Sequence, residues 1–224
     1  MKSDAGARLP TGAPDRDAEP EAIVYVVDDD LSVRRALSRL LRSVGLPVET
    51  FSTAQAFLDS VPRDQPACLV LDVRLPGPSG LDLQSALREA GRPLPIIFIT
   101  GHGSVSTSVR AMKGGAVDFL QKPFNDQELL DCIQRALATS RRQRADRAEH
   151  AELAQRHASL TTREREVLTL VVAGLLNKQI AGELGIAEKT IKVHRARVMD
   201  KMRVGSVPDL VRLAEKLGLR PPKP

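Results

Sequence analysis

The chain has 224 residues, 42% of them apolar, and 33 Lys and Arg against 28 Asp and Glu leave a net charge of +5. That length suits one large domain or two small ones, each able to bury its own core. The composition excludes a membrane span, because the longest apolar stretch, Val167 to Leu176, fits a buried helix. Two cysteines, Cys68 and Cys132, are too few for a disulfide framework and are expected as reduced core thiols.

Residues 1–20 carry Gly, Pro, Asp and Arg without the apolar centre of a signal peptide, so they read as a disordered extension of a cytoplasmic protein. From Ile23 to about Leu137 short apolar runs alternate with amphipathic stretches. The strand candidates are Ile23–Val27, Val48–Phe51, Cys68–Leu71, Ile96–Ile99 and Val117–Leu120. Val33, Leu37, Leu40, Leu41 and Val44 recur at helical spacing, with Gly45 as the stop. Further helices are expected at Ala54–Ser60, Leu81–Ala90, Val105–Lys113 and Gln127–Ala138. Five such β/α repeats predict an α/β fold with a doubly wound, five-stranded parallel sheet over residues 21–138.

Residues 139–158 are rich in Arg, Ala, Gln and Glu and lack Pro and Gly, which predicts a helical linker. After Ser159 only helical patterns remain, so residues 159–224 are expected to form an all-α domain. Its helices are marked by Val167 to Leu175, by Ile180, Ala181 and Leu184, by Ile191, Val198 and Met202, and by Leu210 to Leu217. The second and third of these, with a stop at Gly185 between them, have the form of a helix-turn-helix. Charge is uneven along the chain: residues 1–158 hold 20 Lys and Arg against 21 Asp and Glu, and residues 159–224 hold 13 against 7. The basic excess lies where a polyanion would be met.

In a doubly wound sheet the site lies beyond the carboxyl ends of the strands. There the sequence gathers Asp28 and Asp29 after the first strand, Asp72 after the third, Thr100 after the fourth and Lys122 after the fifth. Clustered carboxylates repel unless a cation sits among them, and hard oxygen donors suit Mg²⁺. Lys122 adds a positive charge for an incoming phosphoryl group, and Thr100 a hydroxyl to hydrogen-bond it. Asp30 reads as the cap of the following helix. In the last third, Lys189, Lys192, Arg195, Arg197, Lys201 and Arg203 give the expected third helix a basic face, suited to a groove flanked by phosphates. Lys192, Val193 and Arg195 lie mid-helix, where bases are reachable; Arg197 and Lys201 lie farther along, and Lys201 is expected at a phosphate. Ala187, at the expected start of that helix, has no side-chain oxygen to cap it, a lack that typically costs a helix about 0.5–2 kcal/mol. His102, His150, His157 and His194 form no metal-binding spacing.

Tyr25-Val-Val-Asp-Asp-Asp30, Leu71-Asp-Val-Arg-Leu-Pro76 with Gly80, Ile99-Thr-Gly-His-Gly103 and Asp118-Phe-Leu-Gln-Lys-Pro-Phe124 resemble the receiver domain of two-component response regulators. Val109-Arg-Ala-Met-Lys113 and Gly115-Ala-Val-Asp-Phe119 resemble its FixJ subfamily. Leu160-Thr-Thr-Arg-Glu-Arg-Glu-Val-Leu168, Asn177-Lys-Gln-Ile-Ala181 and Lys189-Thr-Ile-Lys-Val-His-Arg195 resemble the LuxR-type (NarL/FixJ) DNA-binding domain.

The resemblance implies a flavodoxin-like receiver joined to a four-helix helix-turn-helix domain, and a transcription regulator rather than an enzyme. An aspartyl-phosphate phosphatase would want a second Asp two residues after the nucleophile, where this chain has Arg74. Asp72 would be the phosphoacceptor, served by a sensor histidine kinase. Asp29, Asp72 and the Arg74 backbone carbonyl would hold Mg²⁺, which Asp28 reaches through water. Thr100 and Phe119 would be the switch pair. Phosphorylation would promote a homodimer on double-stranded DNA, within reach of RNA polymerase. Lys189, Thr190, Lys192, Val193, Arg195 and Arg197 would contact bases or phosphates, and Asn177 and Lys178 the DNA backbone.

Overall fold

A computed structural model describes residues 22–60, 65–92, 94–101 and 105–219. The extension expected over residues 1–20 lies outside the described residues, as do His102 and Gly103. The chain divides into two compact units, Met1–Arg141 and Arg142–Pro224.

In the first unit β1 (Ile23–Val27), α1 (Leu31–Ser43), β2 (Val48–Phe51), α2 (Ala54–Asp59), β3 (Ala67–Asp72), α3 (Gly80–Glu89), β4 (Ile96–Thr100), α4 (Val105–Lys113) and β5 (Asp118–Gln121) alternate before α5 (Asp126–Ala158) begins. The five strands are parallel, in the order β2-β1-β3-β4-β5. The three central strands β1, β3 and β4 are buried throughout and read as largely continuous apolar runs rather than alternating ones. Val24, Val26, Cys68, Val70, Ile97, Ile99 and Leu120 face α1 and α5, meeting Leu37, Leu41, Leu129, Ile133 and Ala136. Their neighbours Ile23, Tyr25, Val27, Leu69, Leu71 and Phe98 face α2, α3 and α4 and pack with Phe57, Leu83, Leu87 and Ala111. Cys68 and Cys132 are buried and free, and burial pushes both thiols up, Cys132 to about 11. Both stay protonated and unreactive at neutral pH.

This strand order makes the gap between β1 and β3 the switch point of the sheet, with the chain winding outward on either side. Gly80 opens α3 where a Cβ would lie 2.2 Å from the Asp72 carbonyl oxygen. Only glycine lets that helix start so close to the end of β3.

In the second unit α6 (Thr162–Val172), α7 (Asn177–Leu184), α8 (Glu188–Met202) and α9 (Val207–Lys216) follow the end of α5. Their core is Val167, Leu168 and Val171 of α6, Ile180 of α7, Ile191, Val198 and Met202 of α8, and Leu210 of α9. Gly185 ends α7 in the left-handed conformation, φ +62°, which turns the chain sharply into α8. Ala187 caps α8 without a side-chain hydrogen bond.

The stretch expected as a linker is helical throughout as part of α5, and its second half is bound into the second unit. Leu153 is buried, Arg156 donates to the Met202 carbonyl at 3.4 Å, and Glu149 pairs with Lys216 at 2.5 Å. A fragment beginning at residue 142 should therefore melt higher than one beginning at 159. Leu153→Ala in the longer fragment should cost about 2–5 kcal/mol, the usual range for truncating a buried leucine. Thermal unfolding followed by circular dichroism checks both, and equal melting temperatures for the two fragments would remove the α5 segment from the fold.

Lys201 departs from its expected place at a phosphate. Its ammonium lies 2.7 Å from Glu164 Oε2 and donates to the Ser159 carbonyl at 3.2 Å. Glu164 is buried and forms a capping box with Thr161 at the start of α6. Lys201 thus fastens α8 to that helix start. The bonds from Lys201 and the Thr161 amide hold the Glu164 carboxyl below the usual glutamate range. A depressed folded-state value means stability that is full above the unfolded-state value and lost as pH falls through the folded-state one. Glu164→Gln should accordingly flatten the acid limb of the stability–pH curve below about pH 5, the region where an unfolded glutamate takes up its proton. Chemical denaturation at pH 7 and pH 4 measures it, and an unchanged acid limb would deny the pair this role.

Candidate functional site

At the switch point the strand ends bring together what the sequence suggested. Asp28 leaves β1, Asp72 closes β3, Thr100 closes β4 and Lys122 follows β5. Lys122 Nζ lies 2.6 Å from Asp28 Oδ2 and 2.7 Å from Asp72 Oδ2, one ammonium bridging two carboxylates. Each carboxylate's other oxygen is held by the backbone: Asp28 Oδ1 accepts from the Asp30 amide at 2.9 Å, and Asp72 Oδ1 from the Arg74 amide at 2.8 Å. Asp28 is 0% and Asp72 6% exposed, whereas Asp29 is open to solvent. Asp30 caps α1 through a 2.7 Å bond from the Ser32 amide, as expected.

Oxygen atoms of Asp28, Asp29 and Asp72 lie within 4.8 Å of one another. Burial raises the Asp28 carboxyl above its ordinary range, against the opposing pull of Lys122. Burial also disfavours the Lys122 ammonium, yet its bonds to Asp28 and Asp72 outweigh that and hold it above the ordinary lysine value. Three carboxylates against one ammonium leave an excess of negative charge, and a divalent cation with oxygen ligands fits this donor set. Arg74 supplies its amide to Asp72, and its side chain is exposed.

Thr100 is buried beside Lys122, whose amide donates to the Thr100 carbonyl at 2.8 Å. Phe119, half-buried on β5, pairs in register with Phe98, their rings 6.4 Å apart. Arg34, which no sequence motif marks, donates from Nη1 to the Asp28 carbonyl at 2.6 Å and ties the β1–α1 turn to the helix. No spacing rule marks an arginine six residues beyond an acidic pair. A separate concavity of about 270 Å³ lies between α3 and α4. Its cations Arg88, Arg110 and Lys113 occupy the last turns of those helices, where positive charge complements the helix dipole.

In the second unit, Ile191, Val198 and Met202 turn one side of α8 to the core. Lys189, Thr190, Lys192, Val193 and Arg197 are exposed, and Val193 is 46% exposed. Lys192 makes a loose, exposed pair with Glu188 at 3.4 Å. Arg195 is half-buried and donates to Asn177 Oδ1 at 3.0 Å, while Lys178 is exposed at the start of α7. Arg195 and Asn177, on separate helices in the sequence pattern, are joined by the fold. Among the described residues no helix is long and apolar enough to cross a membrane.

Comparison with known proteins agrees with both halves. Residues 24–134 match the family described as the response regulator receiver domain, and residues 158–214 the bacterial regulatory proteins of the luxR family. Nodulation protein W of Bradyrhizobium diazoefficiens is 53% identical over 203 residues, covering 91% of this chain and 89% of that protein. Response regulator protein TodT of Pseudomonas putida is 50% identical, covering 88% and 86%. Transcriptional regulatory protein FixJ of Azorhizobium caulinodans is 46% identical, covering 90% and 96%. Among solved structures, the response regulator StyR shares 52% identity and a TM-score of 0.79 over 88% of this chain and 99% of its own. Full-length FixJ from B. japonicum shares 44% and 0.54 over 91% and 100%. With a receiver match over its sheet, a luxR-family match over its helical unit and such relatives along most of its length, the chain belongs to the two-component response regulators of the LuxR-type, FixJ-like family.

Proposed function

We propose that Asp72 is the phosphoacceptor of this regulator and that its phosphorylation, by a sensor histidine kinase in the cytoplasm, drives dimerisation and DNA binding. The observation that carries this reading is Lys122 Nζ held between Asp28 and Asp72. An Asp72 oxygen attacks the phosphorus of a phosphohistidine; the P–N bond breaks, an acyl phosphate forms, and the departing imidazole takes its proton from solvent. Lys122 then follows the new negative charge, releasing its hold on the Asp72 oxygen. Thr100, whose buried hydroxyl ends the adjacent strand, moves toward the phosphoryl group, and Phe119 turns into the space this leaves. Asp29, Asp72 and the Arg74 carbonyl would hold Mg²⁺, which Asp28 would reach through water. Bound there, the ion would supply charge neutralisation during transfer. With Arg74 two residues after the acceptor, the site lacks a carboxylate there for hydrolytic turnover, and the protein acts as a regulator rather than an enzyme.

Output runs through two surfaces. Val109 and Met112 are 45% and 46% exposed on α4, next to the strand that carries Phe119, and we assign the homodimer to that face. On α8, Lys192, Val193 and Arg195 reach base edges, while Lys189, Thr190 and Arg197, with Asn177 and Lys178 at the start of α7, face the backbone of double-stranded DNA. The bound dimer would stand within reach of RNA polymerase. The proposed domain limits are 21–138 for the receiver, 139–158 for the connecting helix and 159–224 for the DNA-binding domain.

Acetyl phosphate with Mg²⁺ should add one phosphate to the protein by intact mass, and Asp72→Asn should add none. Label retained by that variant would move the acceptor elsewhere. Saturating beryllofluoride should double the mass of the full chain in analytical ultracentrifugation, and Met112→Asp should keep it monomeric. An unchanged wild-type mass would refute phosphorylation-driven dimerisation.

A further inference from the structure

Arg195 and Asn177 sit on different helices, 18 residues apart in the chain, and meet side chain to side chain. A guanidinium has five N–H donors and no acceptor. The atom of Asn177 facing it must therefore be the amide oxygen, and Asn177 is left with its NH₂ as the free hydrogen-bonding end. Both residues are half-buried, and α7 and α8 are fixed to one another by the core through Ile180 and Ile191. The contact thus connects two elements that cannot drift apart.

The other long cations of α8 behave differently. Lys189 and Arg197 are exposed, Lys192 holds only a loose pair with its own-helix neighbour Glu188, and Lys201 is committed to Glu164. Among the long cations of α8, Arg195 alone is held by a neutral side chain, which orients it without cancelling its charge. An arginine that reads a base must present its planar fork at a defined angle, and a free one loses about 0.5–1.5 kcal/mol of rotamer freedom on being held.

We infer that Asn177 is a positioning residue for base recognition: it holds the Arg195 guanidinium ready for a base edge before DNA arrives. This rests on the reading of Arg195 as a base-reading side chain, and it goes beyond a phosphate contact for Asn177. A phosphate contact would change the affinity for all sequences alike, whereas a positioning residue changes preference at the base pairs that Arg195 reads.

The test uses the full chain with Mg²⁺ and saturating beryllofluoride and a randomised duplex library, with preferences at each base pair read by sequencing the bound fraction. Arg195→Ala should flatten preference at one or two base pairs by roughly 5- to 150-fold. Asn177→Ala should weaken preference at those same base pairs by about two- to tenfold, the ordering cost of one arginine side chain. Asn177→Asp keeps an oxygen acceptor for Arg195 and should retain the preference while binding all duplexes more weakly, because its charge faces phosphates. In the double variant, Asn177→Ala should add nothing to Arg195→Ala at those positions. The inference is overturned if Asn177→Ala leaves the preferences of the wild type intact and only lowers affinity and salt dependence, which would make Asn177 a phosphate contact. If Arg195→Ala itself leaves every preference unchanged, the base-reading role of Arg195 falls and the inference falls with it. A wild type without sequence preference would overturn both.

Discussion

Two carboxylates buried in one crevice are tolerable only because one ammonium stands between them. Asp28 and Asp72 close neighbouring strands, and without Lys122 their charges would face each other in a region that water hardly reaches. Removing one partner from a buried ion group strands the others, which typically costs several kcal/mol. The cation comes from β5, at the opposite edge of the sheet from β2 and two strands away from β3. Its long aliphatic stem has to span that distance, and its head has to arrive charged. The order β2-β1-β3-β4-β5 is thus a requirement of the site as much as of the core.

The two carboxylates are held unequally in kind. Each gives one oxygen to a backbone amide of its own turn, Asp30 or Arg74, and the other to Lys122. The amide bonds are local and fixed by chain geometry, whereas the lysine bonds are between elements and can be exchanged. Charge added at Asp72 would therefore be felt first by Lys122 and, through its main chain, by Thr100, whose carbonyl accepts the Lys122 amide. That coupling joins the ends of β4 and β5, the side of the sheet on which α4 and Phe119 lie.

Much of this was legible in the sequence, for identifiable reasons. Buried parallel strands announce themselves as short continuous runs, so β1 matches its expected limits and β3 and β4 extend by only a residue or two, while of the half-polar edge strands β2 matches and β5 lies one residue later than expected. The acidic residues were legible because strand ends are where a doubly wound sheet displays its chemistry. Long-range pairings were not legible. Arg34 reaching the Asp28 carbonyl, Arg195 reaching Asn177 and Lys201 reaching Glu164 depend on where two helices cross, and no periodicity in one helix encodes its partner's side chains. The second half of α5 escaped for a related reason. A charged, alanine-rich stretch looks the same whether it is solvated all round or held by one leucine and a few polar contacts on one side.

Lys201 shows how far counting charge can mislead. The last third of the chain has an excess of basic residues, and α8 concentrates them. Yet those cations have different surroundings in the free protein. Lys201 serves the fold by neutralising a buried glutamate, and Arg203, in the left-handed residue that ends the helix, lies 3.4 Å from Glu152 of α5. Arg195 is held by a neutral amide and keeps its full charge. Lys189 and Arg197 stand exposed, available to phosphates. An ionic footprint estimated from composition would assign all of them to DNA and overstate the number of phosphates engaged, and with it the salt dependence. What separates these roles is the partner each cation has in the free protein. A buried carboxylate such as Glu164 spends the charge within the fold, whereas in the proposed reading the neutral amide of Asn177 aims it and solvent leaves it for the backbone.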